Sequence, residues 1–353
     1  MKKPEVSAIS LFAGCGGLDI GSHMAGAPVV AALDFEEDAI RTLQMNSRYF
    51  KNVDLHHADI CTFDVRKFKD RLAKNKPGPF IVIGGPPCQP FSKNGYWVGN
   101  DKRQAHNDPR NMVPQFFRVV KELNPDGFLM ENVDSLMHPS NAEAVKAIQR
   151  HIAELGYEHT MVRVNALEFG VPQIRKRVFF LGSRKPFNER QPQRTHCNPD
   201  ELQLGETNNR LKPYEGVGRF IEKFSSEKYF EPQEVAKGGT YYEDLLAVPP
   251  GKNYIEIVRR GNTKFRIGKR FWNFLLKLHP DKPSWTIPAQ PGPWVGPFHW
   301  SSRRLRVPEL ASIQTFPDGY KFFGSRRSIQ RQLGNAVPCQ LGKVMVEFLI
   351  SNL

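Results

Sequence analysis

Residues 84–92 combine a reactive side chain with a stiff backbone, because Cys88 lies inside the run Gly-Gly-Pro-Pro-Cys-Gln-Pro-Phe-Ser. The run follows an apolar stretch, residues 80–83, that is typical of a buried strand. Proline fixes φ, so a thiol on such a turn needs little ordering when a substrate arrives. Taken alone, the segment is also compatible with a proline-rich surface loop that carries an incidental thiol.

Three further blocks contain residue types suited to handling a ligand. Glu131-Asn132-Val133 follows an apolar stretch, and Gln173-Ile-Arg175-Lys-Arg177 precedes another. Near the N-terminus, residues 10–17 read Ser-Leu-Phe-Ala-Gly-Cys-Gly-Gly. The C-terminal part adds Arg303-Arg-Leu305 with Glu309, Gln314-Thr-Phe-Pro317 and Gln332-Leu-Gly-Asn-Ala-Val337.

Together, these blocks resemble the DNA cytosine-5 methyltransferase family, in which they occur in this order. The resemblance covers residues 7–183 and 303–353. It implies an enzyme of compact, bacterial type that transfers a methyl group from S-adenosyl-L-methionine to carbon 5 of a cytosine in duplex DNA. Because the target atoms are buried inside a duplex, the cytosine has to be flipped out.

The resemblance assigns catalytic roles to four residues. The Cys88 thiolate adds to carbon 6 of the base, which makes carbon 5 nucleophilic enough to accept the methyl group. Glu131 hydrogen-bonds or protonates N3. Arg177 binds O2, and Arg175 supports the thiol loop and the nucleotide phosphate. Gln173, Arg175 and Arg177 alternate along the chain, so on a strand all three would point one way.

The N-terminal block is typical of a strand followed by a ligand-binding turn and a helix. Gly14, Gly16 and Gly17 allow the backbone to approach a ligand closely. Asp34 ends the next strand, twenty residues after Gly14, where an acid can bind ribose hydroxyls. That spacing also suits NAD, but a Gly-x-Gly-x-x-Gly match needs glycine at the position where Asp19 stands.

By resemblance, the ligand of this turn is S-adenosyl-L-methionine. Asp34 stands where the family usually has Glu, and its shorter side chain is still expected to reach the ribose. The implied cofactor-binding residues are Phe12, Gly14, Gly16, Gly17, Asp34, Asp59, Ile60, Pro86 and Asn335.

Composition limits the classes of partner and of bound group. The 353 residues carry a formal net charge of +14 with a pI of about 9.6, which favours a polyanionic partner without separating DNA from RNA. The cysteines at 15, 61, 88, 197 and 339 contain no Cys-x-x-Cys pair, so we expect neither a metal site nor a disulfide framework. No apolar run approaches the ~20 residues of a membrane span. We therefore expect a cytoplasmic, nucleoid-associated protein.

The order of the elements predicts an α/β fold. Candidate strands at 6–12, 29–34, 53–57, 80–84, 127–131, 160–165 and 177–182 alternate with helical patterns, which indicates a doubly wound, mostly parallel, Rossmann-like sheet. Ser140 and Glu143 predict a capping box at one helix start. We expect a catalytic and cofactor-binding domain over 1–185 and a smaller, irregular target-recognition domain over 186–300. A hinge and C-terminal helix over 301–353 would return to the first domain.

Two alternatives compete with DNA methylation. The family's tRNA-modifying branch carries Cys-Phe-Thr in its variable region, whereas here Cys197 is followed by Asn198 and Pro199. A catalytically idle DNA-binding relative would be marked by loss of Cys88 or Glu131, and both are present. We expect a monomer acting on duplex DNA, with a cognate restriction endonuclease as a functional rather than physical partner.

Overall fold

The computed structural model describes residues 6–74, 78–87, 111–203, 210–234, 238–262 and 264–353. They form two compact units. The first comprises Met1–Asn165, Lys176–Gln193 and Cys339–Leu353, and the second comprises Ala166–Arg175 and Arg194–Pro338. Residues 301–338 thus belong to the second unit and the last fifteen residues to the first. The boundaries of the functional domains stay a prediction.

A seven-stranded sheet forms the centre of the first unit. Its strands are β1 (Ser7–Leu11), β2 (Val29–Asp34), β3 (Asp54–His57), β4 (Phe80–Gly84), β5 (Gly127–Val133), β6 (Glu158–Asn165) and β7 (Lys176–Ser183). Their order is β3-β2-β1-β4-β5-β7-β6, and β7 runs antiparallel to both neighbours while the other pairs are parallel. The carboxyl ends of the parallel strands therefore meet at one edge, where ligands bind in open α/β sheets. The predicted α/β class and doubly wound sheet are confirmed.

Short helices connect these strands. They are α1 (Gly17–Met24), α2 (Glu37–Met45), α3 (Ser47–Phe50), α4 (Arg66–Lys74), α5 (Val113–Leu123) and α6 (Ala142–Glu154), with 3₁₀ turns at Asp134–Met137 and Pro139–Asn141. The apolar face of α5 is buried against the sheet in one large cluster with β1, β4 and β5. The predicted capping box is wrong, because α6 begins after a 3₁₀ turn and its N-cap, Asn141, makes no side-chain capping bond.

The second unit consists of short elements joined by long irregular segments. Strand β8 (His196–Cys197) pairs in parallel with β9 (Lys212–Pro213). The helices are α7 (Pro199–Gln203), α8 (Gly218–Ile221), α9 (Tyr242–Ala247), α10 (Tyr254–Arg259), α11 (Val307–Ile313) and α12 (Arg326–Asn335), and 3₁₀ turns lie at Ala166–Phe169, Glu222–Phe224, Glu227–Tyr229 and Pro232–Glu234. A small aromatic core around Tyr254, Phe265 and Phe274 supports the middle of this unit.

Buried ion pairs brace the second unit. Arg303 donates to both carboxylate oxygens of Glu309, at 2.8 and 2.6 Å, and Glu309 is fully buried. Glu309 also accepts the backbone N–H of Arg306 at 2.8 Å, and the Arg306 guanidinium forms a fork with Glu234. Two-point pairing satisfies charges that would otherwise be costly to bury. The Arg303–Leu305 block therefore stabilises the start of α11.

The chain returns to the first unit through α13 (Cys339–Ile350). This helix packs against α1 and β5, and its Phe348 ring stacks on Phe187 with 6.0 Å between the centroids. Just beyond it, the Asn352 carbonyl accepts the Ser183 hydroxyl at 2.9 Å. Through these contacts, α13 lies against the sheet of the first unit. Across the segments described above, no helix combines the length and the apolar character needed to cross a membrane.

Candidate active site

The glycine-rich turn lies between β1 and α1. Phe12, Gly14 and Gly16 all have positive φ, at 54°, 56° and 83°, and Gly16 is the N-cap of α1. Glycine adopts this conformation without strain, whereas Phe12 does not, and such strain concentrates at ligand sites. A β-carbon built on Gly14 would meet no atom within 4 Å. The turn therefore brings the N-terminus of α1 to the carboxyl edge of the sheet beside open space.

Asp34 holds this turn in place from the end of β2. Its Oδ2 accepts the Gly14 N–H at 2.7 Å, and its Oδ1 accepts the Glu36 N–H at 2.8 Å. Burial raises the pKa of Asp34, and these two backbone N–H groups partly oppose the rise. The residue predicted to bind ribose thus also positions the glycine turn. Its contact with a ribose stays a prediction.

Asp19 is a buried carboxyl group that the sequence analysis did not assign to the site. It lies in the first turn of α1, is 2 % exposed, and neither oxygen has a hydrogen-bond partner among the described residues. Burial raises its pKa to about 7, with the nearby Ser10 hydroxyl opposing the rise and the Asp34 carboxyl adding to it. The signal in the sequence was an acid at the place of a third glycine.

The other predicted cofactor residues after β3 differ in accessibility. Asp59 is exposed, and its Oδ1 accepts the Cys61 N–H at 2.9 Å. Ile60 is 4 % exposed and packs in the main hydrophobic cluster. Phe35, which follows Asp34, is 69 % exposed and was missed, although an aromatic residue directly after a strand-end acid is a recognisable signal.

The segment after β4 connects the predicted thiol turn to β5. Pro86 is buried, and its carbonyl accepts the Asn132 side-chain N–H at 3.3 Å. The Pro87 carbonyl accepts the Met112 N–H at 3.1 Å. Cys88 itself lies outside the described residues. The residues that precede it are thus tied to the Glu131-Asn132-Val133 block.

Glu131 and Arg177 form an ion pair between neighbouring antiparallel strands. Glu131 Oε1 lies 2.6 Å from Arg177 Nε, and the side chains are only 10 % and 12 % exposed. The N–H does not point along this contact, so the interaction is an ion pair rather than an in-line hydrogen bond. Arg177 also donates through Nη1 to the Lys176 carbonyl at 2.8 Å. The structure therefore brings two of the predicted catalytic side chains together.

The structure does not place Gln173 and Arg175 on that strand. Strand β7 begins at Lys176, so the expectation that all three side chains point one way along a strand is wrong. Arg175 is fully buried in the second unit and donates through Nη2 to the carbonyls of Gly334 and Ala336, both at 2.8 Å. Its contacts fix the end of α12, where Asn335, the last predicted cofactor residue, is exposed.

The family described as C-5 cytosine-specific DNA methylase matches residues 6–351. The chain belongs to this family. The Type II methyltransferase M.SacI of Streptomyces achromogenes is 36 % identical, with 99 % of this chain and 94 % of the relative covered. M.NgoFVII of Neisseria gonorrhoeae is 31 % identical, with 96 % and 84 % covered. The methylase therefore modifies carbon 5 of cytosine in DNA and requires a methyl donor.

A solved structure supports the fold of the methylase. The crystal structure of a DNMT2 mutant from Spodoptera frugiperda has a TM-score of 0.64, with 98 % of this chain and 99 % of that chain covered. Sequence identity is 17 %, so the similarity concerns architecture alone.

Four cysteines of the methylase lie within the described residues, and three of them are buried. Burial raises the pKa of the Cys15 and Cys339 thiols well above the usual range. The pKa of the exposed Cys61 is also raised, chiefly by partial desolvation and by its hydrogen bond with Asp59. Cys197 is completely buried. The raised pKa values disfavour a reactive thiolate at Cys15, Cys61 and Cys339.

A cavity of about 640 Å³ lies within the second unit of the methylase. Its wall contains Arg304, Arg326 and Arg327 among apolar residues such as Phe298. The pKa values of Arg304 and Arg326 are lowered, mainly by burial. None of the predicted site residues lines this cavity, so we do not assign the chemistry to it.

Proposed function

We propose that the methylase transfers a methyl group from S-adenosyl-L-methionine to carbon 5 of a cytosine flipped out of duplex DNA, through a bond between the Cys88 sulfur and carbon 6. The observation that carries this proposal is the ion pair between Glu131 and Arg177. Asn132, the residue after Glu131, donates a hydrogen bond to the Pro86 carbonyl. Pro87 separates Pro86 from Cys88 in the chain. The proposed acid thus lies on β5, the strand that also bonds to Pro86, and the proposed cation lies on the neighbouring strand β7.

The chemistry of the pair matches one edge of cytosine. That edge carries the N4 amino group and two acceptors, N3 and O2. A carboxyl group at Glu131 can accept from N4 or donate to N3, and the Arg177 guanidinium can donate to O2. Thymine presents O4 and an N3–H instead, so it fits this arrangement less well. We therefore propose that the pair selects cytosine as well as activating it.

The steps assigned to the protein are addition, charge stabilisation and release. The Cys88 thiolate adds to carbon 6, and ring electrons move toward N3 and O2, where Glu131 and Arg177 stabilise them. Carbon 5 would then take the methyl group, and the electron pair of the broken carbon–sulfur bond would stay on the donor's sulfur. Loss of the carbon 5 proton to a base and expulsion of the thiolate restore the aromatic ring. Burial raises the pKa of the Cys15 and Cys339 thiols and makes them poor nucleophiles, which supports Cys88.

The carboxyl groups around the glycine turn support S-adenosyl-L-methionine as the methyl donor. When bound, it supplies an electrophilic methyl group and carries cationic sulfonium and ammonium groups. When they are ionised, the buried carboxyl groups of Asp19 and Asp34 favour a cation beside the turn. We propose that Phe12, the turn 14–17, Asp34, Asp59, Ile60 and Pro86 hold this ligand. Asn335 stays a cofactor-binding residue that the resemblance implies. Exposed Phe35 is an added candidate.

Arg175 is proposed as a positioning residue. Its guanidinium is fully buried and bonded to main-chain carbonyls, so the role that its environment supports is holding Gly334–Ala336 in place. A direct contact with the nucleotide phosphate has no support from this environment.

We also propose that residues 186–300 choose the sequence in which cytosine is methylated. The motifs that handle the base and the methyl donor lie outside this stretch, so flanking bases have to be read elsewhere. Grafting a family member's matching segment onto residues 186–300 should transfer that donor's methylation pattern. An active chimera that keeps the original pattern would contradict the assignment.

The cellular setting is proposed from the names of the relatives. M.SacI and M.NgoFVII are Type II methyltransferases, which favours a restriction-modification role with a cognate endonuclease as functional partner. We propose that a monomer acts on nucleoid DNA in the cytoplasm. Bisulfite sequencing of duplex DNA treated with the purified protein and S-adenosyl-L-methionine tests the function. Protected cytosines within one short sequence are expected, and uniform conversion would refute it.

A further inference from the structure

An exposed aromatic loop projects from the second unit. We define it as residues 266–272, Arg-Ile-Gly-Lys-Arg-Phe-Trp. Ile267, Phe271 and Trp272 are 56 %, 71 % and 51 % exposed, and Phe271 is the most exposed large apolar residue in the described part of the chain. Trp285, 37 % exposed, packs edge-on against Trp272 with 5.0 Å between the ring centroids. Contiguous exposed apolar groups of this kind mark contact surfaces.

The backbone of the aromatic loop is fastened to the core beneath it. Tyr254, which is 1 % exposed, accepts the Gly268 N–H and donates to the Arg270 carbonyl, both at 3.2 Å. Asn253 donates to the Trp272 carbonyl at 2.7 Å. The loop is therefore held on both sides of Phe271 while that ring points into solvent. Holding apolar side chains outward in this way prepares them for a partner, because less ordering is needed on binding.

Positive charge is interleaved with these rings. Arg266, Lys269 and Arg270 are all exposed, and residues 266–272 contain no acid. The Arg270 guanidinium also lies 5.3 Å from the Phe274 ring centroid, over the core side of the loop. Two copies of this surface would bring like charges together, which opposes self-association. A polyanion with flat apolar groups matches both the charge and the rings.

We infer that the aromatic loop is a DNA-contacting element, with Phe271 and Trp272 packed on bases and with Arg266 and Lys269 facing phosphates. Bases offer π-faces and apolar edges to such rings, and apolar side chains also wedge between base steps. The inference rests on the proposal that residues 186–300 recognise DNA, and it names the part of that stretch that makes contact. The rings approach bases other than the target cytosine, whose edge is assigned to Glu131 and Arg177.

The test compares the full-length variants Phe271→Ala and Trp272→Ala with wild type. Phe230→Ala is the matched control, because Phe230 is an exposed aromatic residue of the same unit at 49 % exposure. Affinity for a duplex containing the methylated sequence should fall about ten-fold or more for each loop variant and remain unchanged for the control. Affinity for S-adenosyl-L-methionine and Tm should match wild type in all three. Arg266→Ala should reduce the salt slope of DNA binding by about one ion.

Fluorescence gives an independent measurement. DNA should quench tryptophan emission of the wild-type protein, and Trp272→Phe should remove most of that change while retaining affinity within a few-fold. Wild-type DNA affinity in both alanine variants would overturn the inference. The inference would also be overturned if the wild-type protein formed a dimer, and if Phe271→Ala and Trp272→Ala dissociated that dimer without changing DNA affinity. If either contradicting result is obtained while the wild-type protein still methylates DNA, only the assignment of the aromatic loop is wrong. The proposed function is then unaffected.

Discussion

Glu131 Oε1 lies 2.6 Å from Arg177 Nε, across the antiparallel pair β5 and β7. Neither residue is close to the other in sequence, and the strand pairing alone brings them together. Because both side chains are largely buried, each depends on the other for charge compensation. The sheet therefore supplies a preorganised carboxyl and guanidinium pair rather than two independent surface groups.

Glu131→Gln tests the role of the carboxyl group in catalysis. The methylation rate should fall by about 10²–10⁴-fold, because a positioned acid or base contributes about that much and the amide cannot transfer a proton. Glu158→Gln, at an exposed position on β6 of the same sheet, should leave the rate unchanged. Single-turnover assays at saturating DNA and methyl donor measure both. A rate for Glu131→Gln equal to the control would remove Glu131 from the mechanism.

Alanine variants of Asp59 and Asp34 should distinguish a residue that only binds the ligand from one that also supports the glycine-rich turn. Asp59 is exposed, so Asp59→Ala should weaken S-adenosyl-L-methionine binding with little change in Tm. Asp34→Ala should weaken binding and lower Tm by several degrees, because the Gly14 and Glu36 N–H groups lose their acceptor. Calorimetry and thermal unfolding supply the two readouts, with exposed Asp70→Ala as control. Unchanged affinity in the Asp59 variant would contradict the proposed pocket.

Asp19 should make stability depend on pH. Its pKa rises from 3.8 to about 7 in the folded protein because of burial, so the folded chain holds a proton that the unfolded chain releases. The contribution of Asp19 to the free energy of unfolding therefore decreases as pH rises from about 4 to about 7 and is constant above pH 7. Asp19→Asn removes the effect, so its stability advantage over wild type should grow by about 3 kcal/mol between pH 5 and pH 8.

Denaturant unfolding of both proteins at several pH values measures this difference. Asp70→Asn, at an exposed position, should show no such trend relative to wild type. An advantage for Asp19→Asn that stays constant with pH would show that Asp19 is ionised in the folded protein throughout.

The strands of the sheet were predictable because buried parallel strands read as continuous apolar runs. Residues 80–84 and 29–34 match β4 and β2 completely. The start of α6 was not predictable in this way. His138 and Pro139 begin a 3₁₀ turn, and the Ser140 N–H donates to the His138 ring before the helix starts. Short-range capping patterns do not reveal such a competing turn.

The sequence points to individual candidate residues but not to the partners of their side chains. Glu131 and Arg177 were identified by resemblance, but their pairing depends on the antiparallel placement of β7. Arg175 lies before β7 rather than on it, because alternation in the sequence does not show where a strand begins. Asp19 was missed because the feature that distinguishes it is its burial. The sequence shows only a polar residue next to a glycine-rich turn, and this does not predict a buried carboxyl group.

The most direct test of the account is a covalent trap with DNA that carries 5-fluorocytosine at the target position. Fluorine cannot leave carbon 5 as a proton does, so the protein should remain bonded to the base after methyl transfer. Mass spectrometry of the digested adduct should locate the bond at Cys88, and Cys88→Ser should give no adduct while still binding DNA. An adduct at Cys15, Cys61, Cys197 or Cys339, or a Cys88→Ser variant that methylates at the wild-type rate, would contradict the mechanism.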